Sequence, residues 1–116
     1  RRREIARLYF DGLSQSRIQF LQKDSQENVW HHFCVLHPKR DILKTELLKQ
    51  GIQTEIHYPN VASKECERYS NLQGSEYPEA ARIADQTLSL PISQWHSNED
   101  IEDVIQAMKK TLAELE

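Results

Sequence analysis

Five histidines and two cysteines are the side chains of this 116-residue sequence with the widest chemical reach. Imidazole and thiolate bind zinc and act as base or nucleophile. Their spacing narrows those options. His31 and His32 are neighbours in a strand-like run, where successive side chains point to opposite faces, so the pair is not expected to close on one ion. His37, His57 and His96 are spread between elements, with no Cys-x-x-Cys or His-x-x-x-His beside them. No metal site is therefore expected. Cys34 lies in an apolar run and reads as a small buried hydrophobe. Cys66 lies in a polar stretch, and nothing in the spacing pairs either thiol with a histidine. With three glycines the chain can scarcely build a phosphate-cradling loop. The carboxylates fall mostly at solvent positions of helices, and none forms an acid–base couple.

His57-Tyr58-Pro59 is different. It follows an alternating segment and opens a long stretch, residues 57–77, that lacks regular pattern; loops of that length are often functional. Imidazole and phenol side by side at a strand end can bind a polar ligand, and Pro59 fixes the exit of the chain. The same residues also read as a surface histidine with a tyrosine plugging the edge of the core.

The elements around this phrase follow from periodicity. Ile5, Leu8, Tyr9 and Leu13 recur at helical spacing, which predicts a helix over 2–15, with Gly12 weakening its last turn. Residues 16–27 are polar, and Asp24 to Asn28 reads as a loop. Val29 to Leu36 is rich in β-branched and aromatic residues and predicts a strand that His37-Pro38 ends. Arg40 to Gln50 predicts a helix stopped by Gly51, with Asp41 at the positive end of its dipole. Ile52, Thr54 and Ile56 alternate with polar residues as a short strand. Pro78 opens a helix to about Gln86. Thr87 to Pro91 predicts a short strand ended by Pro91. Ser97 with Asp100 resembles a capping box, and behind it Ile101, Val104, Ile105, Met108, Leu112 and Leu115 form a helical stripe. The sum is an α+β fold, a two-layer α/β sandwich with about three strands packed against helices.

The bulk numbers exclude several classes. A net charge of −3 gives no electrostatic reason to expect nucleic acid as a partner. Arg1-Arg2-Arg3 reads as a solvated helix start. No apolar run approaches the length that crosses a membrane, and no signal peptide is visible. Two unpaired-looking cysteines suit a reducing, cytoplasmic setting. The sequence opens directly in helical pattern without Met, as a piece of a longer protein would.

Taken together, several phrases resemble one enzyme family. They are Gly51-Ile52-Gln53-Thr54-Glu55-Ile56-His57-Tyr58-Pro59 and Tyr77-Pro78-Glu79-Ala80-Ala81-Arg82-Ile83-Ala84 running into Leu88-Ser89-Leu90-Pro91. With them come Trp30-His31-His32-Phe33-Cys34-Val35 and the helical start Arg2 to Ala6 with Tyr9 and Leu13. The pattern, nearly the whole chain, is similar to the C-terminal small domain of the DegT/StrS-type sugar aminotransferases. These are fold-type-I pyridoxal phosphate enzymes and usually homodimers.

That resemblance implies one small domain over 1–116, with 1–15 as connecting helix and 28–116 as α/β body. It implies a cofactor-binding large domain outside this chain, a nucleotide-linked keto-sugar as substrate and an amino acid as amino donor. His57 and Tyr58 would face the substrate in the cleft. The cofactor, pyridoxal 5'-phosphate, and its Schiff-base lysine would belong to the large domain. Lys44, Lys49, Lys109 and Lys110 lie at solvent positions of helices, so this piece alone would hold no catalytic or cofactor-binding residue and would be inactive. The chain departs from the family after Pro59. The family commonly continues there with a second proline and a histidine, and here the stretch is Asn60-Val61-Ala62-Ser63. Ala80-Ala81 stands where the family often has Ala-Glu. A stand-alone binding or dimerisation module built on this fold is the competing reading.

Overall fold

The amphipathic periods of the sequence become helices in the computed structural model, which describes residues 1–60 and 77–116. Helix α1 spans Arg2–Leu13, and Ile5, Ala6, Tyr9 and Leu13 turn inward. Helix α2 spans Arg40–Lys49 and buries Leu43 and Leu47. Its end is a Schellman motif: the Gly51 amide donates to Leu48 O at 2.9 Å and the Ile52 amide to Leu47 O at 2.9 Å. Gly51 sits at φ 82°, the left-handed geometry that glycine adopts most cheaply. Helix α3, Pro78–Gln86, starts with proline in its first turn.

Helix α4, Asn98–Leu115, opens with a complete capping box. The Asp100 amide donates to Ser97 Oγ at 3.0 Å, and the Ser97 amide to Asp100 Oδ2 at 2.8 Å. The shorter Asp side chain reaches because the bond closes over a single turn. Five of the six predicted stripe positions, Ile101, Val104, Ile105, Met108 and Leu112, are buried, while Leu115 is half-buried.

Three antiparallel strands lie in the order β1-β2-β3. Strand β1 is Gln19–Phe20, β2 Phe33–Leu36 and β3 Thr87–Leu90. Phe33 pairs with Leu90, Cys34 with Ser89, Val35 with Leu88 and Leu36 with Thr87. Because side chains alternate, Phe33, Val35, Leu88 and Leu90 share the face that meets the helices. There they join Tyr9, Leu43, Leu47, Ile101 and Met108 in one core. Cys34 and Ser89 fall on the opposite face. The α+β architecture is therefore the one the periodicity predicts.

The helix layer is tight. A Cβ on Gly12 would lie 2.8 Å from Ile105 Cδ1 and 2.9 Å from Ile105 Cγ2. The glycine that weakens α1 as a helix is what lets α1 approach α4. Buried Arg40 ties α2 to the α3–β3 junction, donating to Ala84 O at 3.0 Å and Thr87 O at 2.9 Å.

Four local expectations need correction. The strand predicted over Val29 to Leu36 begins only at Phe33. Trp30 has φ 54°, an uncommon conformation for a bulky residue, and leaves the strand path. Its buried indole packs on Phe10 and Phe33, which offsets that cost. Residues 16–27 hold the short strand β1, which two residues could not announce by alternation. It is fixed instead by Phe20 packing on Phe10 and Phe33. The segment Ile52 to Ile56 alternates as predicted, with Thr54 buried and Glu55 exposed, yet it forms one bridge and no strand. That bridge joins Glu55 and Ser89 by amide–carbonyl bonds of 3.2 and 2.7 Å. Finally, Arg2 is half-buried and bonded rather than solvated. Residues 61–76 of the predicted loop, Cys66 among them, lie outside the described residues.

Candidate functional site

The face of the sheet away from the core carries two buried hydroxyl side chains of β3, Thr87 and Ser89. Ser89 is 5% exposed and is held in place from both sides, by Cys34 across the β2–β3 ladder and by the Glu55 bridge. Its Oγ lies 2.8 Å from His57 Nδ1 and 3.3 Å from Cys34 Sγ. Cys34 is thus half-buried and hydrogen-bonded, not the enclosed hydrophobe its apolar run suggests.

His57 is half-buried, and Tyr58 beside it is 68% exposed. The peptide bond between them is cis. The two rings stand nearly perpendicular, with centroids 5.5 Å apart. Neither half of the alternative reading holds: the histidine is not on the surface, and the tyrosine does not plug the core.

His32 stacks on His57, with centroids 3.9 Å apart and planes 16° from parallel. His31 follows, its centroid 4.3 Å from that of His32. The expectation that His31 and His32 point to opposite faces fails because neither residue lies in the strand, which starts one residue later. Arg2 holds this turn from α1, donating through one guanidinium nitrogen to Trp30 O at 3.0 Å, His31 O at 2.9 Å and Ile92 O at 3.3 Å. Burial first, then the imidazoles of His57 and His31 and the Arg2 guanidinium, hold His32 below the ordinary imidazole pKa.

These rings border a cleft of about 170 Å³ that Glu55, Ser89 and Pro91 also line. A larger open groove of about 910 Å³ shares Gln53, Glu55 and Pro91 with it and runs along α4 past His96, Asp103 and Lys110. The cleft offers hydrogen-bond donors and acceptors on flat rings, which suits a polar, hydroxyl-bearing ligand. Its one hydroxyl beside a base, Ser89 Oγ at His57 Nδ1, is 5% exposed and fixed between two backbone pairings, a poor position from which to attack a substrate. Stacked rings also cannot turn their nitrogens on one ion, and no cluster of three or more His, Cys, Asp or Glu able to hold a metal occurs among the described residues.

The described residues do not fit a carbonyl cofactor bound through an imine. Lys23, Lys39, Lys49, Lys109 and Lys110 are exposed. Lys44 is half-buried, but its ammonium donates to Thr54 O. None has the desolvated setting that frees an amine for imine formation. No helix is long and apolar enough to cross a membrane, among the described residues.

Sequence reasoning singled out His57 and Tyr58; the structure places His57 in the lining of the cleft and Tyr58 beside it with its ring exposed. It missed His31, His32, Ser89 and Arg2. Ser89 left a signal, as the polar residue of Leu88-Ser89-Leu90 in a strand buried on both faces. The turn at Trp30 left none, since only the packed indole shows it.

Comparison with known proteins identifies this architecture as a domain found within sugar aminotransferases. A crystal structure of DesV from S. venezuelae superposes with a TM-score of 0.87 at 30% identity, over 96% of this chain and 31% of that one. Spr1654 from Streptococcus pneumoniae, in its PLP form, shares the fold with a TM-score of 0.83 at 22% identity, over 99% of this chain and 31% of that one. Residues 1–109 match the DegT/DnrJ/EryC1/StrS aminotransferase family, and the chain belongs to it. Among its relatives is the dTDP-3-amino-3,6-dideoxy-alpha-D-galactopyranose transaminase of Aneurinibacillus thermoaerophilus. It is 36% identical over 111 residues, which are 95% of this chain and 30% of that protein. The chain thus spans about a third of the length of the relatives it matches.

Proposed function

We propose that this chain is the C-terminal small domain of a cytoplasmic, homodimeric, pyridoxal-phosphate-dependent aminotransferase acting on a nucleotide-linked keto-sugar. Residues 1–15 are its connecting helix and 28–116 its α/β body. The observation that carries the reading is the family match over residues 1–109. The relative from A. thermoaerophilus, a transaminase of a dTDP-linked amino sugar by name, supports the substrate class.

The cofactor is held by a large domain outside this chain, where it supplies the electron sink for moving an amino group from an amino acid to the sugar. This domain alone is inactive, because no described lysine is desolvated enough to form the imine. Its own contribution is binding. His57 and Tyr58 meet the sugar-nucleotide, His57 from a fixed position in the cleft and Tyr58 through an exposed phenol. Exposed apolar side chains support a covering partner, either the large domain or a second subunit. Trp95 is 85% exposed and Val29 is 69% exposed. Val29 and Gln94 border the same shallow cleft as Arg1, Arg2 and Arg3, at the start of α1.

The test is made on the enzyme encoded by the full reading frame, with the dTDP-linked amino sugar of the relative's name as probe in the reverse direction. His57→Ala and Tyr58→Phe each raise its KM about ten-fold, the loss of one or two polar contacts, and leave the KM of the keto-acid partner unchanged. Unchanged KM for the sugar in both variants would remove these residues from the substrate site.

A further inference from the structure

His57 is constrained from three sides, more than a ligand contact at a loop mouth requires. Ser89 Oγ engages Nδ1 at 2.8 Å. Ser89 is itself immobile, fixed by the bridge to Glu55 and by the β2 ladder, with Cys34 Sγ 3.3 Å from its hydroxyl. His32 covers one ring face at 3.9 Å. Tyr58 stands at the ring edge. His32 in turn sits on a turn that Arg2 holds through two carbonyls, Trp30 O and His31 O, while tying it to Ile92 O.

A serine hydroxyl can donate to Nδ1 or accept from it, so the bond fixes the rotation of the ring in either tautomer and leaves Nε2 as the nitrogen presented elsewhere. A ring with one face covered also loses rotation about its side-chain torsions. Binding is stronger when this ordering is complete before the ligand arrives.

We propose that His32 and Ser89 are positioning residues for His57: Ser89 holds Nδ1 and so sets the rotation of the ring, His32 clamps the ring plane, and Nε2 is thereby presented to the substrate in one orientation. This rests on the substrate role of His57 proposed above. Two imidazoles stacked this closely cannot both carry a proton without repulsion. The groups that face His32 are His31 from its own turn, His57 and Glu55 from the 52–60 segment, and Arg2 from α1. Three of these four are cations or can become cations. The clamp is therefore a neutral-pH device, closed when both rings are uncharged and loosened when one is protonated.

The test reads the ring nitrogens of His57 directly, by ¹⁵N–¹H correlation spectra of the histidine-labelled 116-residue chain at pH 7.5. In the native chain His57 gives one sharp set of ring signals. Ser89→Ala moves the Nδ1 shift and broadens the set, and His32→Ala broadens it as well. His32→Phe, which keeps a flat ring on His57 without a titrating group, restores the native signals. A purely structural role for His32 would not predict that rescue together with a change in pH response. On lowering the pH, the native His57 signals broaden as His32 is protonated, whereas those of His32→Phe lack that broadening. His57→Gln moves the His32 titration part of the way back up, because burial continues to hold it down. Sharp, native ring signals of His57 persisting in both Ser89→Ala and His32→Ala overturn the proposal.

In the whole enzyme, His32→Ala and Ser89→Ala raise the sugar-nucleotide KM about three- to ten-fold, with kcat less affected, and His32→Phe recovers most of the loss at pH 7.5. If the spectra change as stated while KM does not, the clamp stands and the substrate role of His57 fails. If KM changes in His57→Ala but the spectra of the clamp variants do not change, the substrate role stands and the clamp fails.

Discussion

The contact between α1 and α4 and the histidine cleft on the far face of the sheet are held by different forces. The helix contact is apolar and close, with Ile5, Tyr9, Leu13, Ile101, Ile105 and Met108 excluded from water and Gly12 letting the backbones approach. The cleft is polar and half-open. Its rings are placed by hydrogen bonds from α1, from β3 and from the 52–60 segment. Burial scales with area and tolerates exchange of one apolar residue for another. The cleft depends on single atoms, and replacing one of them moves a ring. Substitutions in the first region should therefore change stability, and substitutions in the second should change binding while leaving the fold almost intact.

The strongest way to break that contrast lies in the helix layer. Gly12→Val places methyl groups where Ile105 already stands and should cost about 2–3 kcal/mol, read from urea unfolding. Gly12→Ala should cost less, because alanine recovers roughly 1 kcal/mol of helix propensity. If Gly12→Val is neutral, the approach of α1 to α4 is not as close as the structure shows.

Arg2 joins the two regions and should give an intermediate result. Arg2→Ala removes two carbonyl contacts on the turn of Trp30 and His31 and a third to Ile92 O. The site is only half-buried, so the loss should be about 1–2 kcal/mol. The same change should shift the ring resonances of His31 and His32. A loss of stability without movement of those resonances would mean that Arg2 serves α1 alone.

The smallest effect is on pH dependence. His32 is held below the ordinary imidazole pKa by burial and by its neighbours, and His37 is lowered by burial and then by Lys39. The Lys39 amide also donates to His37 Nδ1, a bond that needs that nitrogen unprotonated. Below the ordinary imidazole value of about 6.5, the unfolded chain binds more protons at these sites than the folded one. Their contribution to stability is therefore full above that value and is lost as pH falls below it. Urea midpoints measured at falling pH should decline over that window, and less so in His32→Phe. A midpoint that rises on acidification would give the linkage the wrong sign.

The two regions also differ in how far the sequence disclosed them. Helical stripes, the stop at Gly51, the proline opening α3 and the Ser97–Asp100 cap are local signals, and each appears at its predicted place. The site was legible where it too was local, in His57-Tyr58 following an alternating segment. The rest of the site depends on contacts distant in sequence. Trp30 turns the chain because its indole finds Phe10 and Phe33, and the turn brings His31 and His32 together when strand alternation would part them. Strand β1 is likewise fixed by Phe20 packing on those rings. Arg2 looked solvated because the carbonyls it meets belong to residues near 30 and 92. A polar residue between Leu88 and Leu90 was the one visible mark of the anchor beneath His57.

The central claim is that this chain is one domain of a pyridoxal phosphate enzyme whose chemistry lies elsewhere in the protein. The most direct test takes the product of the full reading frame, loads it with pyridoxal phosphate, reduces it with borohydride and maps the modified lysine by peptide mass. The account predicts a visible absorption band in the loaded protein and a single fixed lysine outside these 116 residues. No band, or fixation on Lys44 or another lysine of this chain, would contradict it.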